Sequence, residues 1–372
     1  MSEAAQKIPD AIFQQTLLGF LAPIERFLAD DRVSEVMING HREIYIERGG
    51  RIERSGVEFP SEHALETAVR NIAQFVGKTV DGDRPILDAR LPDGSRVCAV
   101  LPPASRRGIT VSIRRFPKSR LTVADLVKFG AISPGALRFL QLCVETKRNI
   151  VVAGGTGSGK TSLLNALSSF VSEHERVVVL EDSSEIQLQQ PHAVYLEARP
   201  PDAKGRGAVT IRDLLRATLR LRPDRIIVGE CRGGEALDLV QSMTSGHGGS
   251  MSTVHATHPH DTVQRLETLC LMSEIELPLH ALRAQLASAV NLIVQTNRLN
   301  DGSRKITDIV ECRGLTPEGH YDLNPLFVFR QSGTDPETGK IRGTLTATRN
   351  ELSFAHEIKG CGASLPEEME QP

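Results

Sequence analysis

No stretch of this 372-residue chain runs to about 18 consecutive apolar residues, and no N-terminal segment reads as a secretory leader. A membrane-spanning chain is therefore not expected, and any membrane role is read as peripheral. Paired cysteines are missing too. Cys98, Cys143, Cys231, Cys270, Cys312 and Cys361 are scattered, so the reading is reduced thiols in the cytosol, without zinc ribbon or disulfide framework. The net charge is only −2 and no basic, aromatic-interleaved face stands out, so no direct nucleic-acid partner is expected. No internal repeat is visible. What remains is ordinary globular composition, 40% hydrophobic and 24% charged, in a chain longer than one core usually serves. Two domains are expected.

Residues 1–30 read as a helical segment, because apolar residues recur at helical spacing from Asp10 to Ala29, with Pro23 kinking or dividing the helix. Residues 31–116 read as an α+β domain. Alternation around Gly49-Gly50 predicts a hairpin, Ser61 and Gly77 bracket a helix, and strands follow on both sides of Pro92-Asp93-Gly94 and in "GITVSIRRF". Residues 117–133 read as a linker with a short helix. From 134 to 330 strands alternate with helices, which predicts a mostly parallel sheet covered on both faces. A hairpin around Asn300-Asp301-Gly302 is expected to extend that sheet. Residues 331–372 read as a partly flexible tail, an excursion closing on "ELSFAHEI" with a disordered "PEEMEQP" end.

Gly154, Gly155, Thr156, Gly157, Ser158, Gly159, Lys160 and Thr161 satisfy G-x-x-x-x-G-K-[ST], after a β-branched run and before a helix. Glycines in such a loop turn backbone N–H groups toward phosphate oxygens, and the following helix adds its positive end. Lys160 is read as reaching the β- and γ-phosphates of ATP, and Thr161 as presenting its hydroxyl to Mg²⁺.

Two more strands end in acids. "RVVVLEDSSEIQL" brings Glu181, Asp182 and Glu185 to a carboxyl edge, where they can hold Mg²⁺ or orient water, though spacing alone also admits Asp182 or Ser183 as a helix cap. "RIIVGE" places Glu230 where a carboxylate can align the water that attacks γ-phosphate. "SGHGGSMSTVHATHPH" then sets His247 in a Gly-rich turn and His255 at the end of a Ser/Thr-rich strand. A metal site among these histidines is not expected, because no carboxylate or cysteine completes a ligand set.

Taken in order, the phosphate loop, "LEDSSEIQL", "LRLRPDRIIVGECRGGEALDLVQSMTSGHGGSMSTVHA" and "RLETL" resemble the type II/IV secretion ATPase superfamily. Within it, "TIRDLLRATLRLRPDRIIVGE", "ASAVNLIVQTNRLNDGSRKITDI" and "LFVFRQSG" resemble the tight-adherence (Flp-type) pilus assembly ATPases. The resemblance runs from about Ala29 to about Gln331. It implies a RecA-like P-loop domain preceded by a smaller α+β domain, in a homo-hexameric ATPase that powers pilus assembly through inner-membrane platform proteins. It implies peripheral placement at the inner membrane, with Glu181, Asp182 and Glu185 as acidic box, Glu230 at the Walker B position and His247 and His255 as histidine box. It further implies that arginines of the first domain reach the phosphates: Arg96 and Arg114, with Arg90 and Arg115 as alternates. The chain lacks the tetracysteine module frequent in the type II branch. A type IV secretion or conjugative-transfer ATPase is the alternative, and a P-loop kinase or a nucleic-acid translocase are the readings from other classes.

Overall fold

A computed structural model describes residues 19–91, 93–116, 121–201 and 205–370. The chain forms two compact units, residues 1–119 and 120–372.

The first unit opens with a 3-10 turn, Ala22–Ile24, that carries Pro23 in its first turn. A short helix, α1 (Glu25–Ala29), follows and buries Phe27 and Leu28. Pro23 thus divides the segment, and residues 1–18 of the expected helix lie outside the described residues. The alternating stretches form β1 (Val33–Asn39), β2 (Ile44–Arg48) and β3 (Arg51–Arg54). The turn at Gly49-Gly50 takes φ of 57° and 83°, which glycine adopts without a Cβ clash. The helix α2 (Glu62–Phe75) starts at Ser61, whose side chain accepts from the Ala64 N–H at 3.1 Å, and stops before Gly77 at φ 68°. Its buried residues, Leu65, Ala68, Val69, Ile72 and Ala73, repeat at helical spacing and lie in one core with the sheet residues Val36, Ile38, Ile46, Val97 and Ile113. With β4 (Ile86–Arg90), β5 (Arg96–Val100) and β6 (Thr110–Arg114) the strands form one sheet in the order β3-β2-β1-β6-β5-β4, and every pair is antiparallel.

The second unit begins with α3 (Val123–Lys128), closed by a capping box between Thr122 and Asp125, and α4 (Pro134–Glu145), with Pro134 in its first turn. Strand β7 (Ile150–Gly154) leads into α5 (Lys160–Ser168), and β8 (Val177–Glu181) is followed by β9 (Ala193–Glu197) before α6 (Ile211–Thr218). Next come β10 (Arg225–Val228), α7 (Glu235–Thr244), β11 (Met251–Val254), α8 (Pro259–Leu271) and α9 (Leu279–Ala289). The chain then runs through β12 (Leu292–Arg298), β13 (Arg304–Leu315), β14 (Tyr321–Thr334), β15 (Ile341–Ala347) and α10 (Ala355–Gly360). The nine strands lie in the order β15-β14-β13-β12-β7-β11-β10-β8-β9. From β12 to β9 neighbours are parallel, whereas β12 to β15 form an antiparallel meander.

Neighbouring residues of the parallel strands face different cores. Val152 and Ile227 pack with Phe139, Leu163 and Phe327 on one side, Val151 and Ile226 with Leu237, Val240 and Leu266 on the other. This two-sided burial explains why β7, β8, β10 and β11 read as unbroken apolar runs rather than alternations.

Two expectations fail here. A strand, β9, follows β8 where the alternation of strands with helices calls for a helix. Nor are the residues after Gln331 an excursion: β15 pairs with β14, and Leu345, Leu352, Phe354, Ile358 and Met369 are buried in the core that holds Phe139.

Candidate functional site

Parallel strands put their carboxyl ends along one edge, and that edge collects the sequence-predicted groups. The loop after β7 bends through Gly157 and Gly159, at φ 70° and 99°. A Cβ on Gly154 would lie 2.4 Å from Ser158 Oγ and from both oxygens of Thr296, whereas a Cβ on Gly155 would meet nothing within 4 Å. The loop is therefore packed against β12 from below and open above Gly155, where backbone N–H groups can face a phosphate. Ser158 is buried and joins Thr296 Oγ1 at 2.8 Å, while Thr156 is exposed. Lys160 Nζ donates to the carbonyls of Gly154 (3.0 Å) and Gly155 (3.1 Å).

Glu230 stands two residues past β10. Thr253 of β11 holds it from both sides, its hydroxyl donating to Gly229 O at 2.7 Å and its carbonyl accepting from Cys231 N–H at 3.0 Å. One Glu230 oxygen lies 3.0 Å from His255 Nε2, and the other accepts from Arg232 Nη2 at 2.7 Å. Arg232 also reaches Asp182, with Nη1 2.9 Å from Oδ2. The His255 ring lies 3.5 Å from Lys160 Nζ. Burial and then the Lys160 ammonium push the His255 pKa down, more than Glu230 raises it, so the imidazole is held toward its neutral form. Thr161 Oγ1 and Glu185 Oε2 lie 3.5 Å apart. Lys160, Thr161, Asp182, Glu185, Glu230 and His255 are thus linked along one edge by contacts among themselves and with Arg232.

Three predicted residues do otherwise. Glu181 is buried, and its Oε1 already accepts the N–H groups of Glu185 and Ile186, both at 2.8 Å. Burial pushes its pKa up to about 7, against those two hydrogen bonds. It shapes the loop that presents Asp182 and Glu185, and does not fit the role of Mg²⁺ ligand or of a group facing the reacting atoms. His247 lies before β11, not after it, in the turn tied to the residues that precede β7: Ser250 N–H donates to Asn149 Oδ1 at 3.1 Å. Since β7 spans five residues at about 3.3 Å each, His247 and the phosphate loop sit at opposite edges of the sheet. Arg115 is a framework residue of the first unit, donating to the carbonyls of Asp30 and Val33 and pairing with Asp31 at 3.2 Å. Arg90, Arg96 and Arg114 are in that unit as well, as successive cross-strand partners on β4, β5 and β6. They alternate with buried Ala89, Val97 and Ile113, which places them on the face away from the core.

The structure adds residues the sequence did not single out. Arg232 bridges two acids. Arg304 of the β12–β13 hairpin donates to Gly157 O at 2.8 Å, and Gln295 Nε2 donates to Ala256 O at 3.1 Å, holding the segment after His255. An arginine two residues past a strand-end glutamate is a visible signal for Arg232. Arg304 and Gln295 arrive through strand pairing and leave no local signal.

Thr161 Oγ1 and Glu185 Oε2, 3.5 Å apart at the start of α5, are oxygen donors of the kind a hard cation such as Mg²⁺ takes, and further coordination by water and phosphate is usual for it.

A sequence profile described as Type II/IV secretion system protein matches residues 20–344. A putative conjugal transfer protein of Mycobacterium tuberculosis is 35% identical over 305 residues, which cover 80% of this chain and 86% of that protein. The type IV secretion system protein PtlH of Bordetella pertussis is 34% identical over 327 residues, covering 79% and 95%. Among solved structures, the pilus retraction motor PilT aligns over 93% of this chain and 86% of its own at TM-score 0.54 and 17% identity. The Legionella pneumophila ATPase DotB aligns over 82% and 81% at TM-score 0.55 and 19% identity. These two share the fold with this chain, a RecA-like domain behind a smaller N-terminal one.

Proposed function

We propose, from the premise that this chain belongs to the Type II/IV secretion system protein family, that it is an ATP-hydrolysing motor of a homo-hexameric ring at the inner membrane, powering assembly of a surface pilus through membrane platform proteins. The observation that carries the reading is the contact chain Lys160–His255–Glu230–Arg232–Asp182 along one sheet edge.

Each member has a task. Backbone N–H groups of Gly155 to Lys160 and the start of α5 hold the phosphates, with Lys160 exchanging its two carbonyl partners for phosphate oxygens. Thr161 and Glu185, with Asp182 through water, would hold Mg²⁺, which would supply neutralising charge to the phosphates. Glu230 aligns the attacking water and accepts its proton. His255, kept neutral and within reach of Lys160 and Glu230, registers the γ-phosphate. Arg96 and Arg114 of the first unit approach the phosphates and add charge, so that loss of the γ-phosphate frees that unit to move.

Purified full chain with Mg²⁺ is expected to release phosphate from ATP. Glu230→Gln is expected to keep nucleotide affinity and lose turnover by about 10² or more, the usual scale of a positioned base. Lys160→Ala is expected to lose binding. Normal turnover in Glu230→Gln, by phosphate release, removes Glu230 from the mechanism.

The names of the relatives favour a second reading, an export or conjugative-transfer motor. A gene deletion separates the two: loss of surface fibres by electron microscopy supports pilus assembly, and intact fibres with lost export or transfer support the alternative.

A further inference from the structure

The connection between α8 and α9, "LMSEIELPL", displays large apolar side chains. Leu271 is 52% exposed, Met272 60%, Ile275 41% and Leu279 43%, while Leu277 between them packs on the core. Single exposed apolar residues are ordinary, but four within nine residues concentrate apolar surface on one connection. Its own charges are acidic. Glu274 and Glu276 are exposed, the Glu274 side chain 95% so with Arg212 Nη1 no closer than 4.0 Å, and no lysine or arginine occurs in the sequence between Arg265 and Arg283.

Two covalent or packed routes join this patch to the nucleotide site. The first is α8, which begins four residues after His255 and ends in Leu271. The second is the turn after Glu230. A Cβ on Gly234 would stand 2.8 Å from Ser273 Cα and 3.1 Å from Met272 O, so the Arg232-Gly233-Gly234 turn rests directly on the patch backbone. Arg232 at the start of that turn is the residue that pairs with Glu230 and Asp182. A rearrangement at Glu230 or His255 therefore reaches residues 271–275 without crossing solvent.

We propose that residues 271–279 are the docking surface for a basic, apolar cytosolic segment of a membrane-embedded partner, displaced as the nucleotide site changes state. The proposal rests on the secretion-motor reading for its partner's location. Acidic side chains around an apolar centre call for lysine and arginine around apolar anchors, and cytosolic segments beside membrane spans are rich in those cations.

The test uses full-length protein, unaltered and as two double variants, Met272→Glu/Ile275→Glu and Glu274→Lys/Glu276→Lys. Each is sedimented with three probes: inverted inner-membrane vesicles washed of peripheral proteins, the same vesicles shaved with protease, and protein-free vesicles of phosphatidylethanolamine and phosphatidylglycerol. The unaltered chain is expected to bind washed vesicles only. Both variants are expected to bind about tenfold more weakly or worse, with unchanged basal hydrolysis and thermal midpoint. Equal binding by the variants, or no binding by the unaltered chain, overturns the proposal. Binding to protein-free vesicles overturns it in favour of a lipid surface, and a smaller assembly by light scattering in the variants overturns it in favour of a contact between copies. Hydrolysis is measured separately, so a chain that docks but hydrolyses nothing sinks the motor reading and leaves the surface standing.

Discussion

Glu181 and Glu230 both end buried strands and both read as catalytic acids, yet their surroundings give them different work. Glu230 faces His255 and Arg232, while Glu181 is buried and faces two backbone N–H groups. A carboxyl whose pKa rises from 4.5 to about 7 on folding binds protons more readily in the native state than in the unfolded one between those values. Its contribution to stability is complete below pH 4.5 and is lost as pH rises through about 7. Glu181→Gln keeps an oxygen for both N–H groups and removes the titration. In chelator, the unaltered chain is expected to lose stability between pH 5 and 8 that the variant retains. At about 1.36 kcal/mol per unit the difference is at most about 3 kcal/mol. Denaturant midpoints across that range check it, and parallel pH profiles contradict it. Lys160 and Glu230 were legible because their chemistry is written in a loop and at a strand end. Glu181's burial and Arg232's double pairing depend on what other strands bring alongside.

At the scale of elements, the central strands were legible because β-branched runs buried on both faces need no alternation. Strand β9 was not, because it is an edge strand. Ala193, Val194 and Leu196 are only partly buried and Tyr195 is 46% exposed, so neither a continuous nor an alternating apolar pattern marks it. The C-terminal strands were missed for another reason: glycine, threonine and charge dominate "QSGTDPETGKIRGTLTATRN", and its place in the sheet comes from pairing with β14. The same region then supplies Leu345, Leu352, Phe354, Ile358 and Met369 to the core. At about 1.5–3 kcal/mol for each buried side chain, their removal is comparable with the whole stability of a domain, about 5–15 kcal/mol. A chain ending at Thr334 is expected to lose the cooperative melting of its second unit or to collect in the insoluble fraction. A soluble truncation melting at the full-length midpoint would contradict the assignment of these residues to the core.

For the whole molecule, the question is where charge for the γ-phosphate comes from. Arg232 is already balanced by Asp182 and Glu230, and Arg304 holds a carbonyl of the phosphate loop. The first unit aligns Arg90, Arg96 and Arg114 as cross-strand neighbours on three strands, guanidinium groups of the kind that bind phosphate. In the proposed ring those arginines complete the site, so nucleotide trapping and assembly depend on both units at once. Light scattering of Glu230→Gln with ATP and Mg²⁺ is expected to give a six-subunit mass that retains nucleotide through a desalting column. Adding Arg96→Ala and Arg114→Ala is expected to release the nucleotide while Lys160 still binds it reversibly. In a Glu230-competent chain the same pair is expected to cost on the order of 10³ or more in turnover, the scale of an arginine finger. Equal trapping with and without the two arginines would return the row on β4, β5 and β6 to a solvated face. The hydrolytic site would then be complete within residues 120–372, and motion of the first unit would need another cause than phosphate release.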